Sequence, residues 1–159
     1  MPSDKTANIQ PANIQLPYIY TNQVQVNDGS GGFTGVLLEI NSTGHLISNA
    51  SGTTTITAGA GAGTSPSVVT VTGNDVAGKI DITTGTSPSG SGATVATITF
   101  ANAYSSTPKA VLLNCSSSTS AAGRAILGTI STTGFTIVQS GSNALVASTA
   151  VSWQYLVIG

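Results

Sequence analysis

From residue 68 to the end, the chain is written in short alternating runs separated by turn residues. Val68-Val69-Thr70-Val71-Thr72 stops at Gly73-Asn74-Asp75, and Lys79-Ile80-Asp81-Ile82-Thr83 stops at Gly85. Val95-Ala96-Thr97-Ile98-Thr99-Phe100 places Ala96, Ile98 and Phe100 on one face, because successive strand side chains point to opposite sides. Ala110-Val111-Leu112-Leu113 is continuously apolar and reads as a strand buried on both faces. Arg124 to Ile130, Gly134 to Val138 and Val151 to Ile158 complete a set of seven strands. No window sustains a 3.6-residue period, so the pattern predicts an all-β domain, a jelly-roll-like β-sandwich over 68–159. In the last run Val151, Trp153, Tyr155 and Val157 share a face. Burying those four side chains is worth about 6–12 kcal/mol at about 1.5–3 each, which predicts a central strand.

Residues 1–67 follow other rules. Asn8-Ile9-Gln10-Pro11-Ala12 is echoed by Asn13-Ile14-Gln15-Leu16-Pro17, and prolines so spaced hold a chain extended. Tyr18-Ile19-Tyr20 and the alternating Val24-Gln25-Val26 follow. This reads either as a disordered terminus or as an arm that orders against a neighbour, with Ile9, Ile14, Tyr18 and Tyr20 as its candidate attachment residues. After the joint 28–32, the runs 33–40 and 45–48 flank Asn41-Ser42-Thr43-Gly44 and predict a β-hairpin. Residues 49–67 are low in complexity. Their Ala-Gly alternation (58–63) reads as a linker or as a strand packed very closely, and sets a domain boundary after residue 67.

Composition changes the picture by subtraction. Only 6% of the 159 residues are charged, against roughly 25% in ordinary domains. Ser (21) and Thr (24) provide the polar surface instead. The net charge is −1, and Lys5, Lys79, Lys109 and Arg124 are scattered, which argues against nucleic-acid binding. No apolar run reaches the roughly 20 residues of a membrane-spanning helix, and the aromatic girdle of an outer-membrane barrel is missing. No apolar segment after Met1 reads as a secretory signal, so the sequons at Asn41, Asn49 and Asn114 are set aside. The one cysteine, Cys115, excludes an intrachain disulfide and reads as a small buried hydrophobe.

Candidate chemistry is sparse. A hydrolytic triad would have to use His45, which reads as a strand residue beside a turn. A carboxylate pair would have to come from Asp4, Asp28, Glu39, Asp75 and Asp81; Asp81 shares a face with Lys79 and reads as half of a surface ion pair. The Gly-rich stretches lack the Lys-Ser/Thr of a phosphate loop. Asn74-Asp75 could give oxygens to calcium, and a β-turn explains the pair equally well. The expectation is a protein that is no enzyme and carries no cofactor or metal.

The run Val69 to Gly85, with Gly73-Asn74-Asp75, Gly78, Ile80, Ile82 and Thr84-Gly85, resembles the "GTD-x-x-G-x-I-x-I-x-T-G" opening of β-domains in tailed-bacteriophage virion proteins. The likeness continues through Phe100, Pro108 to Leu113, Thr132-Thr133-Gly134-Phe135-Thr136-Ile137 and the closing Trp153 to Gly159. In order, these pieces are similar to the distal domain of phage fibres and capsid decorations, over 68–159; Asn74 stands where the family has Thr. The resemblance implies a homotrimeric, non-enzymatic module on the virion surface. A small chain beginning at Met1 suits a capsid decoration or short head fibre, its arm bound to the major capsid protein or another virion protein. The alternative is the receptor-binding tip of a tail fibre, recognising host surface glycans through hydroxyl-rich loops such as 116–123 and 140–148.

Overall fold

The computed structural model describes residues 23–27, 33–40, 46–48, 52–116, 125–141 and 144–159. The chain divides into two compact units, Met1–Asn49 and Ala50–Gly159. In the first, β1 (Gln23–Asn27), β2 (Phe33–Ile40) and β3 (Leu46–Ser48) form an antiparallel sheet in the order β1-β2-β3. The expected hairpin is β2–β3, paired Leu38↔Ser48, Glu39↔Ile47 and Ile40↔Leu46. The Val24-Gln25-Val26 run enters the same sheet through β1, whose ladder with β2 shifts register twice.

The second unit is a β-sandwich of two four-stranded antiparallel sheets. Its strands are β4 (Thr55–Ala58), β5 (Val68–Gly73), β6 (Ala77–Thr83), β7 (Thr94–Thr99), β8 (Ala110–Cys115), β9 (Ala125–Ser131), β10 (Gly134–Gln139) and β11 (Ala150–Ile158). One sheet runs β4-β7-β10-β9 and the other β5-β6-β11-β8. The hairpins β5–β6 and β9–β10 stay within a sheet; the other connections cross between sheets. Inward residues of both layers meet in one core: Ile80 and Ile82 of β6, Val95, Ala96 and Ile98 of β7, Phe135 and Ile137 of β10, and Val151, Trp153, Tyr155 and Val157 of β11. All seven strands read from the alternation are present, and β11 is internal, flanked by β6 and β8, with the four expected side chains buried.

Three expectations change. The boundary falls between Asn49 and Ala50, not after residue 67. Thr55-Ile56-Thr57-Ala58 alternates like the other strands, and it pairs with β7 from Thr55↔Thr99 to Ala58↔Ala96, its Ile56 and Ala58 packing on the core. The Ala-Gly stretch is no linker. It forms a 3-10 turn, Ala60–Ala62, pressed so closely on the start of β7 that a Cβ on Gly59 would sit 2.3 Å from the Thr94 carbonyl oxygen. Glycine is there because two backbones touch.

Second, β8 is not buried on both faces. It is an edge strand; Val111 points into the core while Leu112 is 56% exposed. A continuous apolar run cannot distinguish a doubly covered strand from one whose outer face is left open in the protomer. Third, Cys115, at the end of that edge, is half-buried and packed beside the core rather than within it.

Candidate functional site

Asn74 and Asp75 occupy the tip of the β5–β6 hairpin. The Asn74 side-chain oxygen accepts from the N–H groups of Val76 (2.9 Å) and Ala77 (3.2 Å), an Asx-turn that closes the hairpin. Asp75 is turned inward and only 5% exposed. Its Oδ1 accepts from Thr54 Oγ1 (2.8 Å) and the Ala101 N–H (2.7 Å), and its Oδ2 from the Asn102 N–H (2.8 Å). Thr54 precedes β4, and Ala101 and Asn102 follow β7, so one carboxylate joins the second sheet's hairpin to two segments of the first. Charge-assisted bonds of this kind are the strong ones, and they engage both Asp75 oxygens.

Aromatic rings support the same corner. Tyr104 packs edge-on against Phe100 (5.1 Å between centroids); Phe100 meets Phe135 (6.1 Å), and Phe135 meets Tyr155 (5.4 Å). Both phenols donate to the hairpin backbone: Tyr104 to the Asp75 carbonyl (3.1 Å) and Tyr155 to the Asn74 carbonyl (2.7 Å). Tyr155 reaches there by lying over Gly78, where a Cβ would come within 2.5 Å of its hydroxyl. Burial pushes the Tyr155 phenol above its ordinary pKa; hydrogen bonding with Thr54 opposes this, and the charge of Asp75 adds to it. Tyr104 is raised for the same two reasons, burial first and then Asp75. The "Gly-Asn-Asp" opening therefore builds a structural corner.

The other carboxylate of the sandwich is also engaged. Lys79 Nζ lies 2.8 Å from Asp81 Oδ1, as the shared face predicted, and Ser152 Oγ donates to the same oxygen from the neighbouring β11. The hydrogen bonds from Lys79 and then Ser152 hold the Asp81 carboxyl below its usual range. Among the described residues no three of His, Cys, Asp and Glu gather as metal ligands would.

Two surfaces remain. The outer face of the first sheet is hydroxyl-lined: Thr55 and Thr57 of β4 stand beside Thr99 and Thr97 of β7, and Thr97 beside Thr136 of β10. A recess of about 100 Å3 lies among Thr97, Thr99, Thr129, Ser131, Thr133 and Thr136. At the opposite side of that sheet, the gap between edge strands β8 and β9 is a groove of about 380 Å3 lined by apolar side chains, with Trp153 at its floor. Only the first of these surfaces is legible in the sequence. The alternate threonines are visible in it, whereas the groove depends on β8 and β9 being neighbouring edges, which no local pattern states.

The attachment residues read from the sequence, Ile9, Ile14, Tyr18 and Tyr20, lie outside the described residues, as does His45. Of the two loops expected to carry hydroxyls outward, Ser116 alone of 116–123 is described, and 142–143 of the second lie outside. No helix among the described residues is long and apolar enough to cross a membrane. Comparison of the chain with protein-family models, with curated proteins and with solved structures finds no match.

Proposed function

We propose that this chain is a non-enzymatic structural protein of a tailed-phage virion: a capsid decoration or short head fibre, a homotrimer fixed to the particle by its N-terminal arm and projecting the β-sandwich outward. The observation that carries this reading is the use made of the sandwich's two carboxylates. Asp75 is fully occupied in tying a hairpin to the opposite sheet, and Asp81 in a surface pair with Lys79 and Ser152. Neither lines the threonine recess or the β8/β9 groove. The charge-poor, hydroxyl-rich composition suits a particle exterior, and the ordered pieces from Gly73 to Gly159 supply the likeness to virion modules.

The test is deletion of residues 1–23 in a phage that encodes the chain. The truncated protein should keep its sandwich folded and be lost from purified particles, because the two Asn-Ile-Gln units with Ile9 and Ile14 are the attachment. Retention at full occupancy would overturn the assignment of the arm. A second reading, the glycan-binding tip of a tail fibre, is favoured by the threonine face of the first sheet. With a net charge of −1 there is little electrostatic attraction to screen, so glycan binding would be weak per site and multivalent. It would persist on a glycan array between about 50 and 500 mM salt. Loss of binding at high salt would refute that reading.

A further inference from the structure

The pentapeptide Gly-Thr-Ser-Pro-Ser occurs twice in the sandwich, as Gly63-Thr64-Ser65-Pro66-Ser67 and as Gly85-Thr86-Ser87-Pro88-Ser89. The first copy lies in the β4–β5 connection and the second in the β6–β7 connection, the segments that carry the chain from one sheet to the other and back. The fold brings the two copies together. Thr64 and Thr86 form an antiparallel bridge outside every ladder: the Thr64 N–H donates to the Thr86 carbonyl (2.7 Å) and the Thr86 N–H to the Thr64 carbonyl (3.0 Å). Each glycine backs onto the threonine carbonyl of the other copy. A Cβ on Gly63 would lie 2.7 Å from the Thr86 oxygen, and one on Gly85 would overlap the Thr64 oxygen. Exposure repeats as well, with the threonine and both serines of each copy exposed and the proline half-buried.

The middle serine of each copy is strained. Ser65 has φ 54° and Ser87 has φ 50°, in the left-handed region where a side chain crowds its own backbone. A proline follows each and narrows the allowed backbone further. The chain places glycine at six positive-φ positions among the described residues, so serine here forgoes the relaxed choice. The anchors on either side are firm. Gly85 N–H donates to the Ala62 carbonyl (2.8 Å), Ser67 N–H to the Thr83 carbonyl (3.1 Å) and Ser89 N–H to the Ala60 carbonyl (3.0 Å). Thr84, only 2% exposed, donates its hydroxyl to the Val146 carbonyl (2.6 Å), and Ala62 is fully buried. Between these anchors, 64–66 and 86–88 hold each other through two backbone bonds.

We infer that the paired Gly-Thr-Ser-Pro-Ser segments are a strained latch, which opens and recloses at 64–66 and 86–88 while both sheets and the flanking anchors stay formed. Backbone that is exposed, tied by few hydrogen bonds and backed by little apolar surface opens at a free energy well below that of global unfolding. The two left-handed serines lower that free energy further, because opening releases their strain. The latch joins the two crossovers, so its release frees that end of the sandwich to rearrange without unfolding the core. The buried Ala62 and Thr84 bound the motion, since they belong to the packed interior. The device is independent of where the protein acts and of the virion reading above.

The experiment is residue-resolved amide hydrogen exchange on the full chain, on Ser65→Gly/Ser87→Gly and on Ser65→Ala/Ser87→Ala. All these side chains are exposed, and unchanged protection of β7 and β10 reads the intact fold. In the wild type, the Thr64 and Thr86 amides should exchange at least about tenfold faster than the ladder amides of β6, β7 and β10, with Gly85 protected like the ladders. The glycine pair relieves the strain, so its Thr64 and Thr86 amides should slow by about threefold or more, after allowance for the extra freedom of glycine in the open latch. The alanine pair keeps the strain and should exchange like the wild type. Thr64 and Thr86 exchanging as slowly as the ladders would overturn the inference, because the segments would then open only with the whole sandwich. Equal exchange in the glycine pair and the wild type would also overturn it. So would equal slowing in the alanine pair, which would assign the effect to the lost hydroxyls rather than to the backbone.

Discussion

Replacing Asp75 by Asn keeps its shape and removes its charge. In the wild type, the carboxylate accepts three hydrogen bonds, at 2.8, 2.7 and 2.8 Å, from Thr54, Ala101 and Asn102. The amide can accept on one oxygen only. If that oxygen keeps Thr54 and Ala101, the new NH2 faces the Asn102 N–H, and one donor meets another. Hydrogen bonds to charged groups contribute about 1.5–3 kcal/mol each, against about 1 for neutral ones. Losing one bond and weakening two costs about 2–4 kcal/mol. Asp75→Ala, which leaves all three donors without this partner, costs about 3–5 kcal/mol. In urea, with a slope of about 2 kcal/mol/M, the Asn variant's midpoint should fall by about 1–2 M with the slope unchanged. A double-mutant cycle with Thr54→Val isolates the pair, and coupling of about 1 kcal/mol or more is expected because the two groups touch. An Asn variant within about 0.5 kcal/mol of wild type, or additive effects with Thr54→Val, would refute the claim that this carboxylate fastens the hairpin to the opposite sheet.

The remaining expectations concern the core, the phenols and the surface pair. Trp153→Ala should cost about 3–5 kcal/mol in chemical denaturation, because Trp153 is only 1% exposed and floors the groove. The phenols of Tyr155 and Tyr104 are raised in the folded chain, so their contribution is complete below the unfolded value of about 10 and is lost as pH rises above it. The melting temperature should therefore decline above about pH 10, less steeply in Tyr155→Phe; a flat profile would contradict this. Asp81 is held low, so its contribution is present above the usual carboxylate range near 4 and is lost as pH falls through the lowered folded value. The pair is solvent-exposed, and Lys79→Ala should change stability by less than about 1 kcal/mol at neutral pH.

Local alternation made most of the sandwich legible. Each strand has one face on the core, so a period of two was written wherever a strand formed, down to Val151, Trp153, Tyr155 and Val157. It is faint in Thr55-Ile56-Thr57-Ala58, where small side chains and the adjoining glycines imitate a linker; Ile56 between two threonines is the available signal. It misled at Leu112, because a residue reserved for an open face looks in sequence like a residue for a second core. The candidate surfaces depended on what lies across the fold. Asp75 looked like a turn residue because Thr54, Ala101 and Asn102 are 21, 26 and 27 positions away. The β8/β9 groove arises only when two strands of different sheets become neighbouring edges.

The claim that this chain is a virion structural protein is tested most directly by quantitative mass spectrometry of gradient-purified particles from a phage that encodes it. The account predicts peptides from 52–116 in a fixed ratio to the major structural protein, in a multiple of three per attachment site, and retained through high-salt washing. Recovery of the chain only in the soluble lysate, with none on intact particles, would contradict it.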